Sequence, residues 1–218
     1  MTGAGDDERN APAGTRRARA ERRREQLLEA ALAIFSERGY RAASVREITR
    51  AAGVTEAVLY HYFANKVDLW TAVLAAYAPF GRVGSILAAA TDEPAEATLG
   101  RLGRELLRLL HEREQLVLTL VSEAPAEPEV AAVLGRFLDE VAAEVAEFLT
   151  TRRVDGEVAA DADPVAAARV FQGALLVHFL TSSLGAGPGA AEPDEAAVAR
   201  LVGMLWRGLA PRPETELV

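Results

Sequence analysis

The chain has 218 residues, of which 50% are apolar, with no cysteine and a formal net charge of −8. The lack of cysteine excludes a disulfide framework, thiolate metal sites and cysteine nucleophiles, so packing must supply the stability. The first thirty residues lack the apolar run of a signal peptide. No later stretch has the roughly 18 uncharged apolar residues of a membrane span, so we expect a cytoplasmic protein without a membrane partner.

The charge is divided unevenly along the chain. Residues 13–70 contain eleven basic and seven acidic residues, a net charge of +4, whereas residues 71–218 contain twelve basic and twenty-two acidic residues, a net charge of −10. Basic charge confined to one end of an acidic chain indicates that this end meets a polyanion. We therefore expect two modules.

The N-terminal segment, residues 1–18, is expected to form a disordered basic arm, because its residues are mostly small or polar and show no apolar periodicity. The run RRARAERRR, which begins at Arg16, is either a solvated helix start or an electrostatic arm toward phosphate. From about Ala20, apolar residues recur at spacings of three and four, which predicts a first helix that ends at Gly39.

Two short helices are predicted next. Ser44 and Glu47 have the S-x-x-E spacing of a capping box, which places a second helix after Ser44. Ala52-Gly53-Val54 makes a tight turn, and Thr55 can cap a third helix. Short helices around a glycine turn are typical of a helix-turn-helix, whose second helix enters the DNA major groove. Asn65 is placed to cap a fourth helix.

The segment GVTEAVLYHYFANK, residues 53–66, concentrates aromatic, imidazole and cationic groups and contains the only lysine of the chain. Aromatic residues at helical spacing are usually buried, and Leu59 and Phe63, four residues apart, fit that interpretation. The three residues between them point in different directions, because successive residues on a helix lie about 100° apart. Hydroxyl and imidazole groups that face outward suit contacts to phosphates and base edges.

The sequence from Leu27 to Trp70 resembles the DNA-binding domain of the TetR family of bacterial transcriptional regulators. The shared positions are Phe35, Gly39, Tyr40, Ser44, Ile48, Ala52, Gly53, Val54, Leu59, Tyr60, Phe63, Lys66 and Leu69. The resemblance implies an all-α fold with an N-terminal three-helix helix-turn-helix DNA-binding domain at residues 19–68. A C-terminal helical ligand-binding and dimerisation domain would follow at residues 69–212, with a tail at residues 213–218.

The resemblance also implies which residues contact a double-stranded DNA operator. Phosphate contacts are expected from the two tyrosines, the lysine and the two N-cap hydroxyls: Tyr60, Tyr62, Lys66, Ser44 and Thr55. Base contacts are expected from Glu56, Ala57, Val58 and His61, through thymine methyl, cytosine amino and purine-edge groups. Arg24, Val45 and Arg46 complete the predicted set. The family often has glycine or proline and then threonine where this chain has Ala57 and Val58, which leaves the operator sequence open.

Residues 71–218 show helical periodicity without the alternation typical of strands. Helices are predicted near residues 66–80, 94–111, 113–122, 127–151, 164–183 and 193–209. Asp163 and Pro164 form a helix start, with the aspartate as N-cap and the proline at the first helical position. Glu157, Asp161 and Asp163 could imitate a calcium loop, but the regular ligand spacing is lacking, so helix capping is the favoured interpretation.

The last two predicted helices are apolar on nearly all sides, which implies a partner, because a small chain cannot bury such helices alone. The family resemblance implies a homodimer in which these helices form a four-helix bundle, and two recognition helices then meet the half-sites of a palindromic operator. The predicted dimer contacts are Phe171, Leu175, His178, Leu205, Trp206 and Leu209.

A pocket for a largely apolar small molecule is implied by the resemblance, inside the C-terminal domain. The predicted lining residues are Tyr77, Phe80, Leu106, Leu109, Leu116, Leu120, Glu123, Phe137, Phe148, Phe171, Gln172 and Leu175, with His111 and His178 as further polar groups. The alternative for each of these residues is a position in the core.

Enzymatic motifs are missing from the sequence. It has no nucleophile elbow, no phosphate-binding P-loop and no H-E-x-x-H, and its three histidines lack metal-ligand spacing, so no catalytic residue, metal or cofactor is predicted. We predict a ligand-responsive transcriptional repressor that binds a palindromic operator as a dimer and is released by a small molecule. The alternative, an all-helical ligand carrier or interaction module with only non-specific DNA affinity, leaves the basic, aromatic helix-turn-helix unexplained.

Overall fold

The computed structural model describes residues 13–77, 82–90, 93–185 and 192–211, which form ten α-helices and, within these ranges, no strand. The helices are α1 (Ala13–Ala42), α2 (Val45–Ala51), α3 (Glu56–Tyr62), α4 (Lys66–Tyr77), α5 (Val83–Ala88), α6 (Ala95–Glu112), α7 (Glu114–Glu123), α8 (Pro128–Val154), α9 (Pro164–Ser183) and α10 (Asp194–Leu209). The all-α prediction is confirmed.

The chain divides into two compact units, one ending at Ala76 and the other beginning at Tyr77. The sequence placed this boundary earlier, after Asp68. Most of α4 belongs to the first unit because Trp70, which is fully buried, packs edge-on against Phe35 with 4.7 Å between ring centroids. Tyr40 lies 5.7 Å from the same indole ring. These three aromatic side chains hold α1 and α4 together at the centre of the first unit.

Helix α1 begins at Ala13, so residues 13–18, which were expected to belong to a disordered arm, are helical. Four of these six residues are alanine or arginine, which are good helix formers. The sequence prediction missed the helix here because it relied on an apolar pattern, which this segment lacks. Residues 1–12 lie outside the described ranges. Near the other end of α1, Gly39 has φ 79° and ψ 168° and interrupts the helical geometry, which confirms the predicted stop.

The second unit is a helical bundle whose core is supplied by α6, α8, α9 and α10. Helix α8 packs along α9, and α10 packs against both α6 and α9. Helix α6 contributes leucines at helical spacing, among them Leu99, Leu102 and Leu107, which are fully buried. Phe179 on α9 and Val198 on α10 are likewise fully buried in the same cluster.

Helix α5 was not predicted. Its six residues, Val83–Ala88, are too few to show a periodicity, and tertiary packing buries Val83 and Leu87. The predicted fourth helix, residues 66–80, is described as α4 as far as Tyr77, and residues 78–81 lie outside the described ranges. The remaining predicted helices agree with α6 to α10 to within a few residues.

Helix α9 is the one helix in the described part of the chain that is long and apolar enough, by length and composition, to cross a membrane. It also packs against α6, α8 and α10 and buries Ala168, Phe171 and Leu175 in the bundle core. Its core position therefore accounts for much of its apolar composition. The opposite face carries the exposed side chains of Val170 and Val177.

Two carboxylates of the loop that follows α8 bind helix N-termini. Asp163 Oδ1 accepts hydrogen bonds from the backbone N–H groups of Val165 and Ala166, at 2.9 and 3.1 Å, and so caps α9 as predicted. Glu157 Oε2 accepts from Ala95 N–H at 2.8 Å at the start of α6, and its Oε1 pairs with Arg152 at 2.5 Å. This N–H donor is the main cause of the lowered pKa of Glu157.

Candidate nucleic-acid interface

The helix-turn-helix is held by the predicted caps. Ser44 Oγ accepts from Glu47 N–H at 3.2 Å and Glu47 Oε2 accepts from Ser44 N–H at 3.1 Å, which confirms the capping box. Thr55 Oγ1 accepts from Val58 N–H at 3.4 Å at the start of α3. Gly53, in the turn between the two helices, has φ 66°, a left-handed conformation that glycine adopts without steric cost.

The Ser44 hydroxyl is already engaged at the N-terminus of α2. Its Oγ lies 2.8 Å from Glu47 Oε2, to which it donates its proton, and this hydrogen bond is the main cause of the lowered pKa of Glu47. The other carboxylate oxygen of Glu47 accepts from Arg38 Nη1 at 2.6 Å. Arg38 is therefore a residue of this site that the sequence reasoning missed, because it comes from α1 and no local pattern joins it to α2.

The recognition helix α3 separates its side chains as predicted. Leu59 is fully buried and Phe63, just after the helix, is nearly so, whereas Tyr60 is 50% exposed and His61 is exposed. Tyr62 is partly buried. This buried pair anchors α3 to the first unit. The other side chains of α3 are therefore available to contact the groove of a DNA duplex.

Lys66, the only lysine, lies at the start of α4 and reaches back to α1. Its Nζ donates to the Arg41 carbonyl oxygen at 3.3 Å and lies 4.4 Å from the centroid of the Tyr40 ring. Asn65 Oδ1 accepts from Asp68 N–H at 2.8 Å, which confirms the predicted cap of α4. The ammonium position is therefore set by two groups of α1, the Arg41 carbonyl oxygen and the Tyr40 ring.

Arg24 extends the site along α1. Its guanidinium lies 5.5 Å from the centroid of the Phe63 ring, which attaches an exposed cation of α1 to the end of α3. None of the twelve predicted DNA contacts is buried. Eight are exposed, namely Arg24, Ser44, Arg46, Thr55, Glu56, Ala57, Tyr60 and His61, and four are partly buried, namely Val45, Val58, Tyr62 and Lys66.

The predicted pocket residues of the second unit lie mostly in its interior. Six are buried in the core, namely Leu106, Leu109, Leu116, Leu120, Phe171 and Leu175, and five are partly buried, namely Tyr77, Glu123, Phe137, Phe148 and Gln172. Phe80 lies outside the described ranges. Gln172 Nε2 is occupied by the Leu138 carbonyl oxygen at 2.9 Å. Leu106, Phe171 and Leu175 pack in one apolar cluster, so they act as core in this structure.

The predicted dimer contacts lie mostly in the interior of the single chain. Phe171, Leu175, His178 and Leu209 are buried within one chain, and Leu205 and Trp206 are partly buried against the same core. His178 Nε2 lies 3.0 Å from Asp194 Oδ1, and His111 Nε2 lies 3.3 Å from the other oxygen of that carboxylate. The large apolar side chains that α9 and α10 expose are Val165, Val170, Val177 and Met204, at 61, 57, 59 and 58% exposure.

Two grooves flank α5 in the second unit. One, of about 400 Å³, is basic and is lined by Ile86, Arg101, Arg104, Glu105 and Arg108. The other, of about 450 Å³, lies between α5 and α8, is mainly acidic and includes Phe148 from the predicted pocket. Within the described ranges, no group of three or more histidine and acidic side chains is arranged to hold a metal ion.

Comparison with known families identifies the first unit. Residues 27–73 match the model of the bacterial regulatory proteins of the tetR family. The transcriptional regulator AcuR of Cereibacter sphaeroides is 33% identical over 166 residues, which cover 70% of this chain and 74% of that protein. The transcriptional repressor KstR2 of Mycobacterium tuberculosis is 36% identical over 98 residues, 44% of this chain and 48% of its own.

A solved structure extends the likeness to most of the chain. The transcriptional regulator FadR from Bacillus subtilis, in complex with stearoyl-CoA, superposes with a TM-score of 0.67 at 19% identity. The superposition covers 84% of this chain and 98% of that one. At this identity the likeness establishes the fold of both units.

Proposed function

Since the chain belongs to the TetR family of bacterial regulatory proteins and is a transcriptional regulator, we propose that it represses transcription by binding a palindromic operator as a dimer. A small molecule bound in the second unit releases the operator. The protein acts in the cytoplasm, and its role is binding and not catalysis. The observation that carries the proposal is the exposed, rigidly attached recognition helix α3.

Five of the twelve predicted DNA contacts fall into two groups by their surroundings. Tyr60, Lys66 and Arg24 are cationic or hydroxyl groups near the ends of α3 and α4, and they position the protein on phosphates. Glu56 and His61 lie exposed on α3 and read base edges. Ser44 contacts phosphate through its hydroxyl only if it exchanges its hydrogen bond to Glu47, so its main part is to fix α2.

The dimer is supported by the exposed apolar face of α9. Val170, Gly173 and Val177 are exposed at spacings of three and four, which place them on one side of the helix. Met204 on the neighbouring helix α10 adds a further exposed apolar side chain. Apolar side chains on an unpaired helix face favour association. These residues replace the buried ones as the proposed dimer contacts.

The release by a small molecule is supported by relatives. KstR2 is a transcriptional repressor, and FadR was solved with stearoyl-CoA. The apolar interior of the second unit and its two grooves offer places for a largely apolar ligand. By linkage, a ligand that weakens operator binding is itself bound more weakly by the operator complex, by the same factor.

The proposal is tested by selecting bound duplexes from a random DNA library with the purified full chain, at two salt concentrations. An enriched inverted repeat supports a dimeric reader. Salt-sensitive binding without enrichment would overturn specific recognition and favour the carrier or interaction module, because phosphate contacts alone carry no sequence information.

Two substitutions then test how the contacts divide. Lys66→Ala is expected to weaken binding to all duplexes similarly and to lower the slope of log K against log salt by about one, because one phosphate contact is lost. His61→Ala is expected to change which half-site is preferred. Binding isotherms for the selected operator and for a scrambled duplex separate the two outcomes, and equal effects of both substitutions would contradict the assignment.

A further inference from the structure

The groove between α5 and α8 differs in chemistry from the core around it. Leu87, Ala88 and Ala90 on the α5 side and Phe148 on α8 form an apolar wall, and Gly84 leaves the backbone of α5 open beside it. Its volume of about 450 Å³ lies within the range of small-molecule sites, roughly 300–1,000 Å³. The groove therefore has room for an apolar body.

The polar lining of the groove is predominantly negative. Glu144, Glu147 and Asp155 face a single cation, Arg152. That guanidinium is already engaged, because it pairs with Glu157, donates to the Ala90 carbonyl oxygen at 2.7 Å and lies 5.1 Å from the centroid of the Phe148 ring. The lining carboxylates are thus left without an equal number of cations.

Glu144 has an unsatisfied oxygen. The backbone N–H of Gly84 faces its carboxylate and acts to lower its pKa, while its Oε2 is buried and has no hydrogen-bond partner. Leaving a buried acceptor without a donor costs free energy. A Cβ at position 84 would lie only 3.3 Å from Glu144 Oε1, so the glycine is what lets the carboxylate approach α5 this closely.

We propose that this groove binds a small organic cation, with a primary ammonium group on Glu144 and an apolar body against Leu87 and Phe148. The ammonium donates the hydrogen bond that Oε2 lacks. Because this oxygen is buried, the ammonium reaches it through a partial rotation of the carboxylate about its terminal torsion, which is broad in glutamate. Glu147 and Asp155 at the exposed edge of the groove attract the cation and disfavour anions.

Binding in the groove stands on this geometry alone, whereas its effect on DNA rests on the proposed function. If the chain is a ligand-released repressor, the occupant of this groove is its inducer or one part of it. The two ideas fail separately, because cation binding is measured without DNA and operator selection is performed without a cation.

Calorimetric titration of the full chain with phenethylamine tests the proposal, with phenethyl alcohol and phenylacetate as a neutral and an anionic control of similar shape. Saturable binding is expected for the amine and not for the alcohol or the acid. Burial raises the pKa of Glu144, with the charges of Glu140 and Glu147 as smaller contributions. Amine binding is therefore expected to weaken as the pH falls through that raised pKa.

Two matched variants locate the cation. Glu144→Gln keeps an acceptor for Gly84 N–H but removes the charge, and it is expected to weaken amine binding about tenfold or more, as for a lost charge-assisted hydrogen bond. Glu140→Gln removes the same charge from α8 outside the groove lining. It is expected to change affinity by less than about threefold, since an exposed charge is screened.

Each other outcome overturns the proposal. Equal binding of amine and alcohol would mean that the groove recognises only apolar shape. Equal losses in Glu144→Gln and Glu140→Gln would mean that the cation is held by diffuse negative charge. No saturable amine binding at millimolar concentration would leave the groove without this ligand. Thermal unfolding checks that both variants fold, and the ligand series on the unaltered chain decides the matter if Glu144→Gln does not.

Discussion

The proposed dimer is tested most directly at Val177, whose side chain is 59% exposed on the outer face of α9. Replacing it by serine removes two methyl groups and introduces a hydroxyl while keeping a small β-substituted side chain. The single chain should lose little stability, because the lost surface already faces outward. The dimer should be less stable, because the two methyl groups become buried only when it forms.

The size of the effect follows from the exposure. Fully burying a valine side chain stabilises by at least about 1.5 kcal/mol, so covering the remaining 59% contributes about 0.9 kcal/mol. In a twofold-symmetric dimer, Val177 of both chains is covered, which gives about 1.8 kcal/mol per dimer. Dimerisation of the Val177→Ser variant should therefore be roughly twentyfold weaker.

Sedimentation equilibrium over a range of protein concentrations measures the dimer dissociation constant. Val154→Ser is the matched control, since Val154 is 82% exposed at the end of α8 and lies on no helix of the proposed interface. The control should leave the constant unchanged. Equal constants for the two variants, or a chain that is monomeric before any substitution, would refute the assignment of α9 to the interface.

Two further predictions concern stability, each measured by chemical denaturation. Gly103→Ala should destabilise the second unit by about 1–3 kcal/mol, because the added Cβ would lie 2.9 Å from Val198 Cγ1. Gly135→Ala in α8, where nothing lies within 4 Å, should instead stabilise by up to about 1 kcal/mol through helix propensity, and a shared sign would contradict the packing argument. Glu157→Gln should cost about 1 kcal/mol near neutral pH by weakening the bonds to Ala95 N–H and Arg152. Because the folded-state pKa of Glu157 is lowered from 4.5, this difference should persist above pH 4.5 and vanish as the pH falls through the folded-state pKa; a difference independent of pH would contradict the assigned role.

Local chemistry made the first unit predictable. The Ser44 and Glu47 box, the Thr55 cap and the left-handed turn at Gly53 depend on residues no more than four apart, so each is visible in a short stretch of sequence. The bond from Arg38 to Glu47 joins α1 to α2. The sequence could not predict this ion pair, because no local pattern relates residues on two different helices.

On α9, the proposed interface differs from the predicted dimer contacts by one residue of register. Phe171, Leu175, His178 and Phe179 lie on the buried side of α9, whereas Val170 and Val177, each next to one of them in sequence, lie outward. One residue on a helix is a rotation of about 100°. A helix that is apolar on both sides has no polar stripe to set its orientation, so only the packing against α6, α8 and α10 identifies the face left for a partner.

The predicted pocket residues were chosen for size and apolarity, which also select core residues, whereas a groove forms where packing is incomplete. Around Glu144 the sequence reads EVAAEVAEFL, a pattern typical of a helix with one solvated side. The carboxylate is desolvated because α5, a six-residue helix invisible to periodicity, packs across α8 and places Gly84 against it. An unsatisfied charge beside an apolar wall thus arises from the meeting of two helices, and it is the kind of feature on which ligand recognition is built.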